Sequence, residues 1–174
     1  MPETHRRPMP NWSMDGVPNI RPVHWLTFDA CRGVLFCKDT RIDIEELLCV
    51  IVHATAVHVH SDQGGTVLCA SNDREKSNFG SPGRRCPTCE FFKGACRLRW
   101  RIWMQEVEGG TVYAHTLSVT ASANFVKYAN CLQERGHLPG EVVTDVFVED
   151  FVRKRSGLSF RRLQFECASD RPMT

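Results

Sequence analysis

The chain has 174 residues, 42% of them hydrophobic and 24% charged, enough for one buried core and short for two. Lys and Arg number 22 against 20 Asp and Glu, a net charge of +2, which excludes a uniformly basic coat and leaves only the local distribution of charge to indicate a partner. No stretch approaches the ~18–20 apolar residues of a membrane-spanning helix, and the N-terminal segment lacks the apolar run of a signal peptide, so the expectation is a soluble, cytoplasmic protein with no membrane partner.

Residues 1–22 hold five of the nine prolines (Pro2, Pro8, Pro10, Pro18, Pro22) and read as a flexible arm outside the core. Residues 23–168 then form the expected domain, with 169–174 a short tail. His24 to Lys38 carries Trp25, Phe28, Val34, Leu35 and Phe36 around Arg32-Gly33, the composition of two short strands joined by a tight turn. Trp25 is expected in the core. The β-branched run Leu47 to His60 reads as a long central strand, buried on both faces at first and alternating at its end. Thr66-Val67-Leu68 leads into Cys69, and from Ala70 to Arg85 the polar and turn-forming composition favours an irregular loop.

Arg97 to Met104 alternates basic and apolar at first, the pattern of a half-exposed strand. The turn Gly109-Gly110 and a strand from Thr111 to Val119 would complete a hairpin. Phe125, Tyr128, Ala129 and Leu132 recur at helical spacing, with Ser122 as the expected cap and Gly136 suited to the C-terminal side. Glu141–Val152 and Leu158–Cys167 read as two further strands around the basic turn Arg153-Lys154-Arg155-Ser156-Gly157.

Nine cysteines is an odd number without a secretory context, which favours metal binding over a disulfide framework for any closely spaced set. Cys86-Pro87-Thr88-Cys89 supplies a thiolate pair on a tight turn. Cys69 lies 17 positions before Cys86 and Cys96 seven after Cys89, so a folded-back loop could bring four thiolates to one structural Zn²⁺. The plain alternative is that these are small buried hydrophobes, as Cys31, Cys37, Cys49, Cys131 and Cys167 are expected to be. Proline beside Cys86 and the polar stretch after Cys69 weigh against it. His58, His60 and His115 are alternative ligands. A deaminase would need a His-x-Glu segment, which does not occur, and a thioredoxin-like pair would need a βαβ context. The zinc therefore reads as structural, and the protein as no enzyme.

Between residues 84 and 101 six basic residues (Arg84, Arg85, Lys93, Arg97, Arg99, Arg101) meet one acid, Glu90. On a strand, period two would put Arg97, Arg99 and Arg101 on one face and Leu98, Trp100 and Ile102 on the other. Phe91 and Phe92 in the zinc loop, with Phe79 and Trp103 nearby, could stack on unpaired bases while the basic groups pair with phosphates. Arg153, Lys154, Arg155, Arg161 and Arg162 would extend the surface. The competing reading is a solvated basic face with aromatics in the core.

The order of features fits a mainly β domain with one helix, a five-stranded barrel of the OB type with an inserted zinc loop at 69–96. Cys69-Ala70-Ser71-Asn72-Asp73, Cys86-Pro87-Thr88-Cys89, Gly94-Ala95-Cys96-Arg97, Thr120-Ala121-Ser122 with Phe125 and Tyr128, Val143-Thr144 and Leu163-Gln164-Phe165 together resemble the zinc-bearing single-stranded DNA-binding, helix-destabilising proteins of bacteriophages. The resemblance spans residues 45–166. It implies a protein that coats unpaired DNA during replication or recombination of a phage or mobile element in a bacterial cell, with the cysteines as ligands and the basic and aromatic residues as the DNA face. A replication or recombination protein would be a further partner. The second expectation is a zinc-stabilised adaptor that engages a host protein.

Overall fold

The structure is a computed structural model, and it describes residues 23–61, 67–71, 86, 96–152, 157 and 159–170. It is mainly β with one helix. The strands are β1 (Val23–Asp29), β2 (Val34–Cys37), β3 (Ile42–Ile44), β4 (Glu46–Ser61), β5 (Val67–Ser71), β6 (Arg97–Glu106), β7 (Val112–Thr116), β8 (Thr144–Val152) and β9 (Ser159–Cys167), with helix α1 (Val119–Glu134) between β7 and β8.

Nine strands among the described residues, where five were expected, join in the order β3-β2-β1-β7-β6-β4-β8-β9, and β5 pairs with β4 off this path. All described pairings are antiparallel except β1 with β7, which is parallel. The sheet curls so that its ends approach each other. The Arg161 guanidinium on β9 donates to the Cys31 carbonyl in the β1–β2 turn, and Gly33 of that turn, at φ 73°, sits against the Arg161 side chain. Gly33 is needed there because the left-handed backbone disfavours any residue with a Cβ.

The concave face is covered by α1, whose Ala121, Phe125, Tyr128, Ala129 and Leu132 are buried at the spacing of one helical stripe. They pack with Leu26, Leu35, Leu47, Ile51, Ile102, Met104, Val146, Leu163 and Phe165 in one core. Phe125 meets Trp100 edge-on at 5.7 Å and Phe165 at 5.5 Å. The Tyr128 hydroxyl lies 2.7 Å from Thr144 Oγ1, which satisfies two buried hydroxyl groups at once.

The helix begins one turn earlier than Ser122. Ser118 is the N-cap, its hydroxyl accepting from the Ala121 N–H at 3.2 Å, while the Ser122 hydroxyl accepts the Trp100 N–H at 3.1 Å. At the other end Gly136, at φ 81°, donates to the Gln133 carbonyl and His137 to that of Leu132, a Schellman arrangement that stops the helix.

β4 alternates from its start, with Leu47, Cys49 and Ile51 buried and Glu46 and Leu48 exposed, rather than being buried on both faces there. An irregularity in its pairing with β6 falls between Ile51 and His53. Beyond it the core face is carried by Ala54 and Ala56, and the opposite face by Thr55, Val57 and Val59. Val57, Val59 and Ala70 make a second, small apolar cluster.

Candidate nucleic-acid interface and metal-binding groups

Strand β6 sorts its side chains by alternation from Arg99 onward. Trp100 and Ile102 are buried with the helix, and Arg97, Arg99 and Arg101 lie on the convex face. Leu98, expected in the core row with Trp100 and Ile102, is 44% exposed, because it lies at the start of the strand beyond the cover of the helix core. Register extends that face sideways. Trp25 on β1 is level with Ala114 on β7, Ala114 with Trp103 on β6, and Trp103 with His53 on β4. In-register neighbours on adjacent strands share a face, so two tryptophans flank the fully buried Ala114.

Trp25 is 48% exposed and stands outside the core, contrary to expectation. It precedes Leu26, which takes the inward position on β1, and alternation leaves Trp25 facing out. The Arg101 guanidinium carbon lies 5.3 Å from the Trp25 ring centroid, a cation–π arrangement, and Arg101 Nε donates to Thr116 Oγ1 at 3.2 Å. Trp103 packs against the His53 ring at 4.8 Å. Burial pushes His53 below the ordinary imidazole range.

Arg99 and Arg101 are half-buried, in the same rows as Val57 and Thr55, so their stems lie along the sheet. Partial loss of water lowers the pKa of both guanidinium groups from the usual value; both remain cationic. Arg99 Nε is buried without a hydrogen-bond partner among the described residues. Among the described residues none of Arg97, Arg99 and Arg101 has a carboxylate within 4 Å. By contrast the two β9 arginines expected to extend the basic surface are paired with carboxylates on β8: Arg162 is held by Glu149 at 2.8 Å, and Arg161 by Asp150 at 3.0 Å.

Of the expected zinc ligands, Cys69, Cys86 and Cys96 are described and partly buried; Cys89 lies outside the described residues. Cys69 is level with His60 across the β4–β5 pairing, and Val59 with Arg97 across β4–β6. Continued by one step, that second register sets Cys96 on the other flank of His60. Cys69, His58 and His60 thus share the helix-side face, opposite the arginines. His115 does not belong with them. It is buried in the main core, its Nδ1 donating to the Leu26 carbonyl at 3.0 Å, level with Ile102 and Ala54, six positions along β4 from His60 and about 20 Å away. Arg84, Arg85, Phe91, Phe92, Lys93, Arg153, Lys154 and Arg155 lie outside the described residues.

A different set of donors converges at the start of β1. His24, Cys37 and Asp39 bring Nδ1 or Nε2, Sγ and a carboxylate oxygen within 4.8 Å of one another, making one possible metal-binding triad. Cys37 lies thirteen positions after His24 in sequence, so spacing gives no sign of it; only the β1–β2 hairpin register, with Leu26 level with Cys37, brings them together. No helix among the described residues is long and apolar enough to cross a membrane. Comparison of the chain with protein-family models, with curated proteins and with solved structures finds no match.

Proposed function

We propose that the protein binds single-stranded DNA, without enzymatic activity and with little sequence preference, on the convex sheet face that carries Trp25, Arg97, Arg99, Arg101 and Trp103. The observation that carries this reading is the pair of half-buried guanidinium groups, Arg99 and Arg101, with no carboxylate partner among the described residues. A cation partly withdrawn from water gains most from an anion that replaces the lost hydration. The phosphates of a nucleic-acid strand provide such anions in series. Tryptophans beside the arginines supply faces on which unpaired bases stack without regard to sequence.

In the same reading the curled sheet is an OB-like barrel elaborated by extra strands. Cys69, Cys86, Cys89 and Cys96 hold one structural Zn²⁺ on the opposite side of β4–β6, and the setting is replication or recombination of a phage or mobile element. Arg84, Arg85, Phe91, Phe92, Lys93, Arg153, Lys154 and Arg155 are the basic and aromatic groups that would lengthen the DNA path. A zinc site of this kind contributes folding free energy directly. Cys86→Ser is therefore expected to remove the metal and lower the melting temperature strongly; an unchanged midpoint and metal content would refute four-cysteine ligation.

The DNA reading is tested by fluorescence polarisation of a labelled ~30-nucleotide strand across a salt series, because phosphate contacts release counterions and steepen the salt dependence. The triple substitution Arg97→Ala, Arg99→Ala, Arg101→Ala should weaken binding and reduce the log–log salt slope by about 2, near ~0.7 for each lost contact. No polarisation change at low salt sinks the proposal. Binding that the triple substitution leaves intact sinks this face as its site.

A further inference from the structure

We propose that His24, Cys37 and Asp39 form a binding site for a zinc-class divalent metal ion, with three protein donors and a fourth position open to water. The inference is independent of the DNA reading and of the four cysteines at 69–96. The donor set itself selects the ion. A thiolate and an imidazole are poor ligands for Ca²⁺ and Mg²⁺, which take oxygen, whereas Zn²⁺ takes sulfur, nitrogen and carboxylate oxygen together in tetrahedral sites.

The spacing is close to what such an ion needs. Bonds of about 2.0 to 2.3 Å at tetrahedral angles place ligand atoms roughly 3.3–3.7 Å apart. His24 Nδ1 and Asp39 Oδ2 are already 3.5 Å apart, at the long limit for a hydrogen bond, and all three donors lie within 4.8 Å of one another. Side-chain adjustments of about 1 Å would close the set, with no movement of either strand.

The surroundings grade from dry to wet in the way a three-donor site requires. Cys37 is fully buried, the His24 side chain is 22% exposed and that of Asp39 58%. The thiolate would anchor the ion from inside while the fourth position faces solvent. The Tyr113 ring stands 6.2 Å from the His24 imidazole and walls one side. On binding, the Cys37 thiol gives its proton to solvent and the S–metal bond replaces the S–H bond; no electron changes hands.

The test uses the full chain, stripped with chelator and titrated with zinc chloride against a colorimetric zinc indicator, and in parallel with Co²⁺. His24→Ala and Asp39→Asn change partly exposed side chains and should leave the circular dichroism spectrum native. Each is expected to lose one zinc equivalent relative to wild type, or to weaken that equivalent by more than about 100-fold, the upper range for losing only a supporting partner of a ligand. Cys37→Ser should remove one thiolate's share of the sulfur-to-cobalt charge-transfer absorption. The lost equivalent must also be absent when Cys86→Ser is combined with His24→Ala and present in Cys86→Ser alone, which separates it from any metal at 69–96. Folded His24→Ala and Asp39→Asn proteins with wild-type zinc content and affinity would overturn the assignment.

Discussion

Trp25 and Ala114 exchange the places their hydropathy suggests. The large aromatic is 48% exposed and the small residue fully buried, because the pleat, rather than the side chain's own preference, assigns each position to a face. An exposed tryptophan under an arginine is a sensitive test of the convex face. Trp25→Ala should weaken single-stranded DNA binding by ~1–3 kcal/mol, the value of one stacked base, when measured below a thermal midpoint that is itself lowered, because about half of the Trp25 surface is buried. Equal affinity for wild type and variant in a titration followed by polarisation would remove Trp25 from the interface. This residue was not legible from composition, whereas Arg97, Arg99 and Arg101 were, since strict alternation with Leu98, Trp100 and Ile102 announces the two faces of a strand.

The elements were legible where periodicity is unbroken and obscure where it is interrupted. β1, β2, β6 and the helix stripe follow their patterns, while β3 is three residues of mixed polarity, Ile42-Asp43-Ile44, too short to show a period and formed because its backbone pairs with β2. The helix start was misplaced by one turn because both Ser118 and Ser122 precede apolar residues. What decides between them is that Ser122 is buried against Trp100, leaving Ser118 to satisfy the first exposed N–H groups. Ser118→Ala is accordingly expected to cost about 1 kcal/mol, read as a lower urea midpoint at constant m. Ser122→Ala, which strips the Trp100 N–H of its acceptor, should cost at least as much. If Ser118→Ala proved neutral while Ser122→Ala did not, the cap would be wrongly assigned.

At the scale of the whole molecule, no local pattern in the sequence specifies which strands become neighbours. The parallel junction of β1 with β7 joins residues nearly ninety positions apart, and His115 crosses the same junction on the inner side by holding the Leu26 carbonyl. Burial pushes His115 well below the ordinary imidazole value of 6.5. Its unfolded form therefore takes up a proton that the native form refuses, and the sign follows: the stability present above pH 6.5 is lost progressively as pH falls toward the lowered native value. The thermal midpoint should decline from about pH 6.5 downward, ahead of the carboxylates. Glu149, whose pKa is lowered by Gln164 and then Arg162, adds its share only at greater acidity. His115→Gln should flatten the upper part of that decline; a profile identical to wild type between pH 7 and 5 would show that the ring does not set it.

The irregularity between Ile51 and His53 has a consequence for how this chain could diverge. It is a phase shift in the longest strand: odd-numbered residues face the helix before it and even-numbered ones after it. Val52 is the residue with no opposite number, since Ile51 pairs with Met104 and His53 with Trp103, neighbours on β6. Deleting it would leave an unbroken ladder in which Val57 and Val59 stay on the convex side and His58 and His60 on the helix side. Position 52 is thus where this strand can lose a residue and keep both of its surfaces, whereas a deletion further along would exchange them.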